Sequence, residues 1–227
     1  MAHRANREPP LPRGHLGVRE LTSKYGTYLI NDETHTFSAG PGGCTAAWNL
    51  EPDMLTIGKA IGGGIPAGAY GLSAELADRL LGRDDLDLID MGGVGGTLAG
   101  NALSTAAMRA TLGDVLTEAA FDTMIELATT FTAGVQATLD ELDLPWSISQ
   151  LGARAEYRFA RPAPRDGDAS AAAHDGDLDA YMHLAMCNRG ILMTPFHNMA
   201  LMCPDTSPDD VALHTKVFRD VVGALRG

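Results

Sequence analysis

Two short apolar runs, each closing on a charge, set the tightest limits on how this chain folds. Tyr28-Leu29-Ile30-Asn31 runs into the acidic pair Asp32-Glu33, and Met54-Leu55-Thr56-Ile57 runs into Gly58-Lys59-Ala60-Ile61-Gly62-Gly63-Gly64. Runs this short and β-rich read as strands buried in a parallel sheet. Between and after them the pattern turns helical. Val18, Leu21 and Tyr25 keep helical spacing with Gly26 as a stop, Ala74 to Leu81 reads as a helix, and Asn101 is placed to cap Ala102 to Leu112. Strands and helices alternating across glycine-rich crossings predict an α/β layer.

The pattern changes near Gly113. Glu118 to Leu142 predicts a long amphipathic helix, with Phe121, Met124, Ile125, Ala128, Phe131, Val135 and Leu139 near a 3.6-residue period. Trp146 to Ser149 and Ala155 to Phe159 alternate like strands covered on one face. Arg161 to Gly176 is dense in Pro, Asp and Gly and reads as an exposed loop. Asp177 to Asn188 is helical, Ile191 to Thr194 and Met199 to Cys203 read as a short strand pair, and Pro208 opens a final helix reaching Leu225. The expected organisation is an irregular tail over 1–16, an α/β domain over 17–113 and a smaller α+β domain over 114–227.

A net charge of −12 argues against nucleic acid and anionic membranes as partners. The three cysteines, Cys44, Cys187 and Cys203, have no metal-ligand spacing, and an odd number without a leader points to reduced thiols in the cytoplasm. No apolar run approaches the ~18 residues of a membrane span, and Met1 to Arg13 lacks the apolar stretch of a secretory signal.

Lysine is seldom buried without a partner or a task, and Lys59 closes an apolar run. An acid and an amine at the ends of buried strands are what a pyridoxal phosphate enzyme needs. The lysine forms a Schiff base, and the carboxylate keeps the pyridine nitrogen protonated so that the ring takes up electrons. Each residue also has a plainer reading: Asp32 as a loop cap, Lys59 as a snorkelling surface charge, Thr97 as part of a glycine turn. The glycines follow Lys59 rather than precede it, so this is no Walker phosphate loop. Glu33 and His35 beside Asp32 bring no second ligand group, and no metal is expected.

Three segments in order carry a family resemblance: Leu29-Ile30-Asn31-Asp32-Glu33-Thr34, Lys59 with Ile61 to Gly71, and Gly96-Thr97-Leu98-Ala99-Gly100-Asn101. Together they resemble the class III pyridoxal phosphate aminotransferases, with glutamate-1-semialdehyde aminomutase as a close relative. The resemblance implies the C-terminal portion of a fold-type-I transferase: part of the mostly parallel large α/β domain, then the small α+β domain. It implies pyridoxal 5'-phosphate as cofactor, an amino donor and a keto or aldehyde acceptor as substrates, and a cytoplasmic homodimer. It places Asp32 against the pyridinium nitrogen and Lys59 as the Schiff-base lysine that later moves a proton between the two carbons of the substrate imine. Thr34 falls where the family carries a valine on the ring face. Thr97 matches the hydroxyl that reaches the cofactor phosphate of the neighbouring subunit, and His197 falls where the small domain lines the substrate entrance.

The chain also departs from that pattern. What family members carry ahead of the helix at Gly17, including the phosphate loop, is expected to be missing, and Phe37-Ser38-Ala39-Gly40 lacks the arginine many relatives have there. The main expectation is a transaminase acting through Lys59. The alternatives are a non-catalytic fragment or interaction module, and an aminomutase of the glutamate-1-semialdehyde type.

Overall fold

The computed structural model describes residues 12–83, 85, 95–194 and 197–226. The expected tail through Leu11, Met91 to Val94 of the glycine-dense stretch, and Pro195-Phe196 lie outside them. The chain divides into two compact units. One comprises Met1–Phe37 and Pro41–Thr117, the other Ser38–Gly40 and Glu118–Gly227.

The first unit opens with helix α1, Pro12–Tyr25, which therefore begins inside the stretch read from sequence as a tail ending at residue 16. Proline at a first helical position gives up an N–H that has no intrahelical partner there, so Pro12 starts the helix instead of breaking it. Strands β1 (Ile30–Asp32), β2 (Met54–Ile57) and β3 (Ala69–Leu72) form one sheet in that order. β1 and β2 are parallel, with Asp32 opposite Thr56, and β2 and β3 are antiparallel. Helix α2 (Gly43–Ala47) lies between β1 and β2 in sequence, and α3 (Ala74–Leu81) follows β3. Ser73 caps α3 by accepting the Leu76 N–H. Helix α4 (Ala102–Ala110) starts at Asn101, whose Oδ1 accepts the Ser104 N–H at 2.9 Å, and ends in one wider π turn over Thr111–Val115.

Asp53 ties this layer together. Its Oδ2 accepts the Leu29 backbone N–H at 2.7 Å and Arg19 Nη1 at 2.8 Å. Those bonds, the Leu29 N–H first and Arg19 second, hold its carboxyl below the ordinary range. The N-terminal ends of β1 and β2 are thereby fixed to α1.

The second unit contains helix α5 (Glu118–Glu141), strands β4 (Ser147–Leu151) and β5 (Arg154–Arg158), helices α6 (Gly167–Ala172) and α7 (Gly176–Cys187), strand β6 (Met199–Leu201) and helix α8 (Pro208–Gly223). Its sheet is antiparallel in the order β4-β5-β6. All seven α5 residues picked out by periodicity are buried. Trp146, Tyr157, Phe159 and Phe218 form an aromatic cluster beside them, with ring centroids 4.7 Å apart for Trp146–Phe159 and 5.2 Å for Tyr157–Phe218. Ile191 to Thr194 forms no strand. β6 pairs with β5 instead, which gives its backbone groups a longer partner than a three-residue hairpin offers.

His214 on α8 is buried between Phe131, 4.2 Å away by ring centroid, and Phe218. Neither ring nitrogen has a hydrogen-bond partner. Burial therefore pushes its pKa down to about 4. The unfolded chain takes up that proton near pH 6.5, so the stability that goes with neutral His214 is complete above pH 6.5 and is lost as pH falls toward 4. By linkage the loss reaches about 3 kcal/mol at pH 4. Urea melts of wild type and His214→Leu at pH 7 and pH 4 check this. The wild type should lose more stability between the two pH values than the variant does, by about that amount.

Candidate active site

Parallel pairing of β1 with β2 brings their C-terminal ends to one corner of the first unit. Asp32 is the last residue of β1, and Lys59 follows β2 after Gly58. Both side chains are open to solvent. Asp32 Oδ1 accepts the Thr34 backbone N–H at 2.9 Å and the Thr56 hydroxyl at 3.1 Å. The Thr34 hydroxyl and N–H, then the Thr56 hydroxyl, hold the Asp32 carboxyl below the ordinary carboxylate range, and the charge of Lys59 acts in the same direction. Asp32 is thus an anion at neutral pH, oriented by three donors, with a primary amine in electrostatic reach. Thr34 joins the corner as well. Its Cγ2 lies 3.2 Å from where a Cβ on Gly58 would stand, so glycine before Lys59 lets this side chain in.

The neighbouring carboxylate has a different task. Glu33 points to the opposite face, as alternation along a strand requires, and is buried. It accepts the backbone N–H groups of Cys44 and Thr45 at the start of α2 and the Thr36 hydroxyl. A carboxylate there neutralises free N–H groups at a helix start. Gly43 makes this approach possible: a Cβ on it would lie 2.7 Å from Glu33 Oε2. Sequence reasoning weighed Glu33 only as a metal ligand and missed this role. The signal was present in Gly42-Gly43 opening a helix ten residues after a buried strand-end acid.

The loop carrying Lys59 is held from α4. Ser104 Oγ donates to the Pro66 carbonyl at 2.8 Å, and buried Thr111 packs its hydroxyl against Gly63. Ile61, fully buried, anchors the loop's other side. Neither Ser104 nor Thr111 carried a sequence signal, because helix residues of this kind are ordinary until their partners are known. Thr97 sits exposed in the turn ahead of Asn101, where Gly96 takes a positive φ of 77°.

In the second unit, Arg154, Glu156 and Arg158 share one face of β5. Glu156 meets Arg154 at 3.4 Å, Arg158 at 2.9 Å and His197 Nδ1 at 3.5 Å. The two arginines are thus engaged with a carboxylate of their own strand.

The family model of the class-III aminotransferases matches residues 10–210. The chain belongs to that family. Among solved structures it is similar to a glutamate-1-semialdehyde aminomutase from Pseudomonas aeruginosa, a lysine-to-alanine variant in complex with PMP. Identity is 48%, the TM-score is 0.88, and the match covers 95% of this chain and 48% of that one. An omega-transaminase from Sphaerobacter thermophilus matches at 27% identity and a TM-score of 0.81, covering 96% and 49%. Among curated proteins, glutamate-1-semialdehyde 2,1-aminomutase 2 of Geobacillus kaustophilus is 31% identical over 224 residues, which is 96% of this chain and 50% of the relative. The chain spans about half the length of the relatives it matches. Its fold is accordingly a partial fold-type-I α/β fragment followed by the α+β unit.

Class-III aminotransferases work with pyridoxal phosphate, and the chemistry of this corner suits that group. An ionised carboxylate fits a protonated pyridine nitrogen, a primary amine fits an aldehyde, and the methyl of Thr34 offers an apolar contact for a flat ring.

Proposed function

We propose that this chain supplies the ring-binding and Schiff-base corner of a pyridoxal phosphate-dependent aminotransferase. Such an enzyme moves an amino group between an amino acid or amine and a keto acid or aldehyde. One observation carries the reading: Asp32 is held ionised by Thr34 and Thr56 at the strand end beside Lys59. Bound here, pyridoxal phosphate supplies an aldehyde for the amine and a cationic ring that withdraws electrons from the substrate carbon.

The chain's residues have separate tasks. Asp32 holds the ring nitrogen protonated through a charge-assisted hydrogen bond. Thr34 and Thr56 keep that carboxylate ionised and aimed. Lys59 Nζ would hold the cofactor through its aldehyde carbon and, once freed as an amine, would carry the proton between the substrate carbon and the cofactor carbon on either side of the nitrogen. Thr97 is assigned a hydroxyl contact to the phosphate held by a neighbouring subunit, which makes the working form a homodimer. No helix among the described residues is long and apolar enough to cross a membrane. The cytoplasmic location proposed for that dimer rests on the reduced thiols expected from its three cysteines.

The second reading is an aminomutase, favoured by the 48% identity to the Pseudomonas aeruginosa enzyme. It uses the same acid and amine and differs in returning the amino group to the same molecule. Asp32→Asn tests what the two readings share. Equilibrium dialysis should show pyridoxal phosphate held about tenfold or more less tightly, as expected for loss of a charge-assisted bond. Unchanged retention in Asp32→Asn would remove Asp32 from the site.

A further inference from the structure

The loop that carries Lys59 has little to fix it from within. Gly58, Gly62, Gly63, Gly64 and Gly68 fall inside it, and Gly63 and Gly64 take positive φ values of 56° and 94°. Glycine gives up more conformational freedom on ordering than any other residue. Backbone bonds close two turns, from the Ile61 N–H to the Gly58 carbonyl at 2.9 Å and from the Ile65 N–H to the Gly62 carbonyl at 3.0 Å. Beyond them the loop leans on α4. Ser104 and Thr111 stand two helical turns apart and face the same way. Ser104 Oγ meets the Pro66 carbonyl at 2.8 Å, and the Thr111 hydroxyl lies 3.0 Å from where a Cβ on Gly63 would stand.

We infer that Asn101 and Ser104 are positioning residues for Lys59, the amide of one aiming the hydroxyl of the other at the lysine's loop. The inference rests on the reading of Lys59 as the Schiff-base amine. A serine hydroxyl has one hydrogen to donate, and its surroundings decide where it goes. Asn101 Oδ1 accepts the Ser104 backbone N–H at 2.9 Å, so Nδ2 is the atom that faces the Ser104 hydroxyl, at 3.1 Å. The same Nδ2 donates to the Leu98 carbonyl at 3.0 Å, and a carbonyl can only accept, which settles the orientation of the amide. Ser104 Oγ is thus already an acceptor from Asn101, and its hydrogen is left for the Pro66 carbonyl on the loop. Proline has no N–H, so that carbonyl is the one backbone group by which Pro66 can be held. Leu98 belongs to the turn that bears Thr97, so one amide secures both stretches to which cofactor contacts are assigned. Asparagine at the head of α4 therefore does more than cap it. Aspartate would cap the helix equally well but, ionised, has no hydrogen to give Ser104.

The test compares the full chain with its Ser104→Ala, Ser104→Thr and Asn101→Asp variants. Amide exchange is followed first, without cofactor. Ser104→Ala and Asn101→Asp should both speed exchange over 61–65 about fivefold, the worth of one hydrogen bond. In Asn101→Asp the carboxylate keeps the cap and draws the Ser104 hydrogen away from Pro66, so exchange over 106–110 should not change. Ser104→Thr keeps the hydroxyl and should match wild type. Pyridoxal phosphate is then added, and the Lys59 adduct is trapped with borohydride at successive times. Its formation should slow about tenfold in Ser104→Ala and Asn101→Asp, because the amine is misaimed, and recover in Ser104→Thr. Pyridoxamine phosphate has no aldehyde for the amine, and its affinity should stay at the wild-type value in every variant. A residue that only stabilised the unit would lower both. Exchange over 61–65 that is unchanged in Ser104→Ala and Asn101→Asp overturns the inference. So does slow capture that Ser104→Thr fails to restore, or a matching loss of affinity for pyridoxamine phosphate. A wild-type chain that gains no label on Lys59 counts against the Schiff-base reading, and exchange over 61–65 still decides whether Asn101 and Ser104 hold the loop.

Discussion

Gly62→Ala is expected to dismantle the loop that carries Lys59 while leaving the second unit folded. A methyl group at position 62 would stand 2.1 Å from the Ile65 carbonyl oxygen and 2.9 Å from the Ala67 Cβ. The carbonyl is backbone and cannot swing aside, and the Ile65 N–H donates to the Gly62 carbonyl at 3.0 Å across the same turn. The turn has to open, at about 3 kcal/mol for overpacking of this severity. Lys59 lies three residues upstream, and a displacement of about 1 Å at a reacting amine costs ~100-fold in rate. Two tryptophans separate the effects, since Trp48 reports on the first unit and Trp146 on the second. With each in turn replaced by phenylalanine, the Trp48 signal should melt earlier in Gly62→Ala and the Trp146 signal should not move. Gly71→Ala serves as the control, because a Cβ there meets nothing within 4 Å.

The second large effect belongs to Glu33. Removing its carboxylate in Glu33→Ala strands the Cys44 and Thr45 N–H groups at the start of α2 and leaves the Thr36 hydroxyl without its acceptor. Hydrogen bonds to a buried charge are the expensive ones to lose, so the first unit should be destabilised by about 3 kcal/mol. Glu33→Gln should rescue little. The two backbone donors reach different oxygens, Oε2 for Cys44 and Oε1 for Thr45, and an amide has only one acceptor to offer. Chemical denaturation followed at Trp48 checks both variants. A Gln variant as stable as wild type would show that shape, not charge, fixes α2.

Much of this architecture was legible in the residues, for identifiable reasons. β2, α3 and α5 were readable because each carries its own signal: an unbroken β-rich run, a compact helical stretch from Ala74 to Leu81, and seven apolar residues on one face. That Asp32 and Lys59 follow neighbouring strands was legible because each closes a short apolar run, and the parallel pairing of β1 with β2 puts those ends at one corner. The family of the chain was legible from three motifs in series. What failed to show were elements whose support comes from elsewhere in the chain. β3 contains Gly71 and exists through its pairing with β2. Helix α6 was hidden in a stretch dense in Asp and Pro, where Asp166 proved to be a cap accepting the Ala169 N–H at 2.8 Å. The Ser104–Pro66 bond spans 38 residues, a separation at which no local pattern operates.

The most direct measurement is a mass-mapped reduction. The purified chain, alone and with the unmatched half of the Pseudomonas aeruginosa enzyme, is incubated with pyridoxal phosphate, reduced with borohydride, digested and sequenced by mass spectrometry. The prediction is a single dominant pyridoxyl label on Lys59, absent in Lys59→Ala and weakened in Asp32→Asn. Label scattered over surface amines such as Lys24 and Lys216, with no preference for Lys59 in either preparation, would contradict the assignment of this corner as a cofactor site.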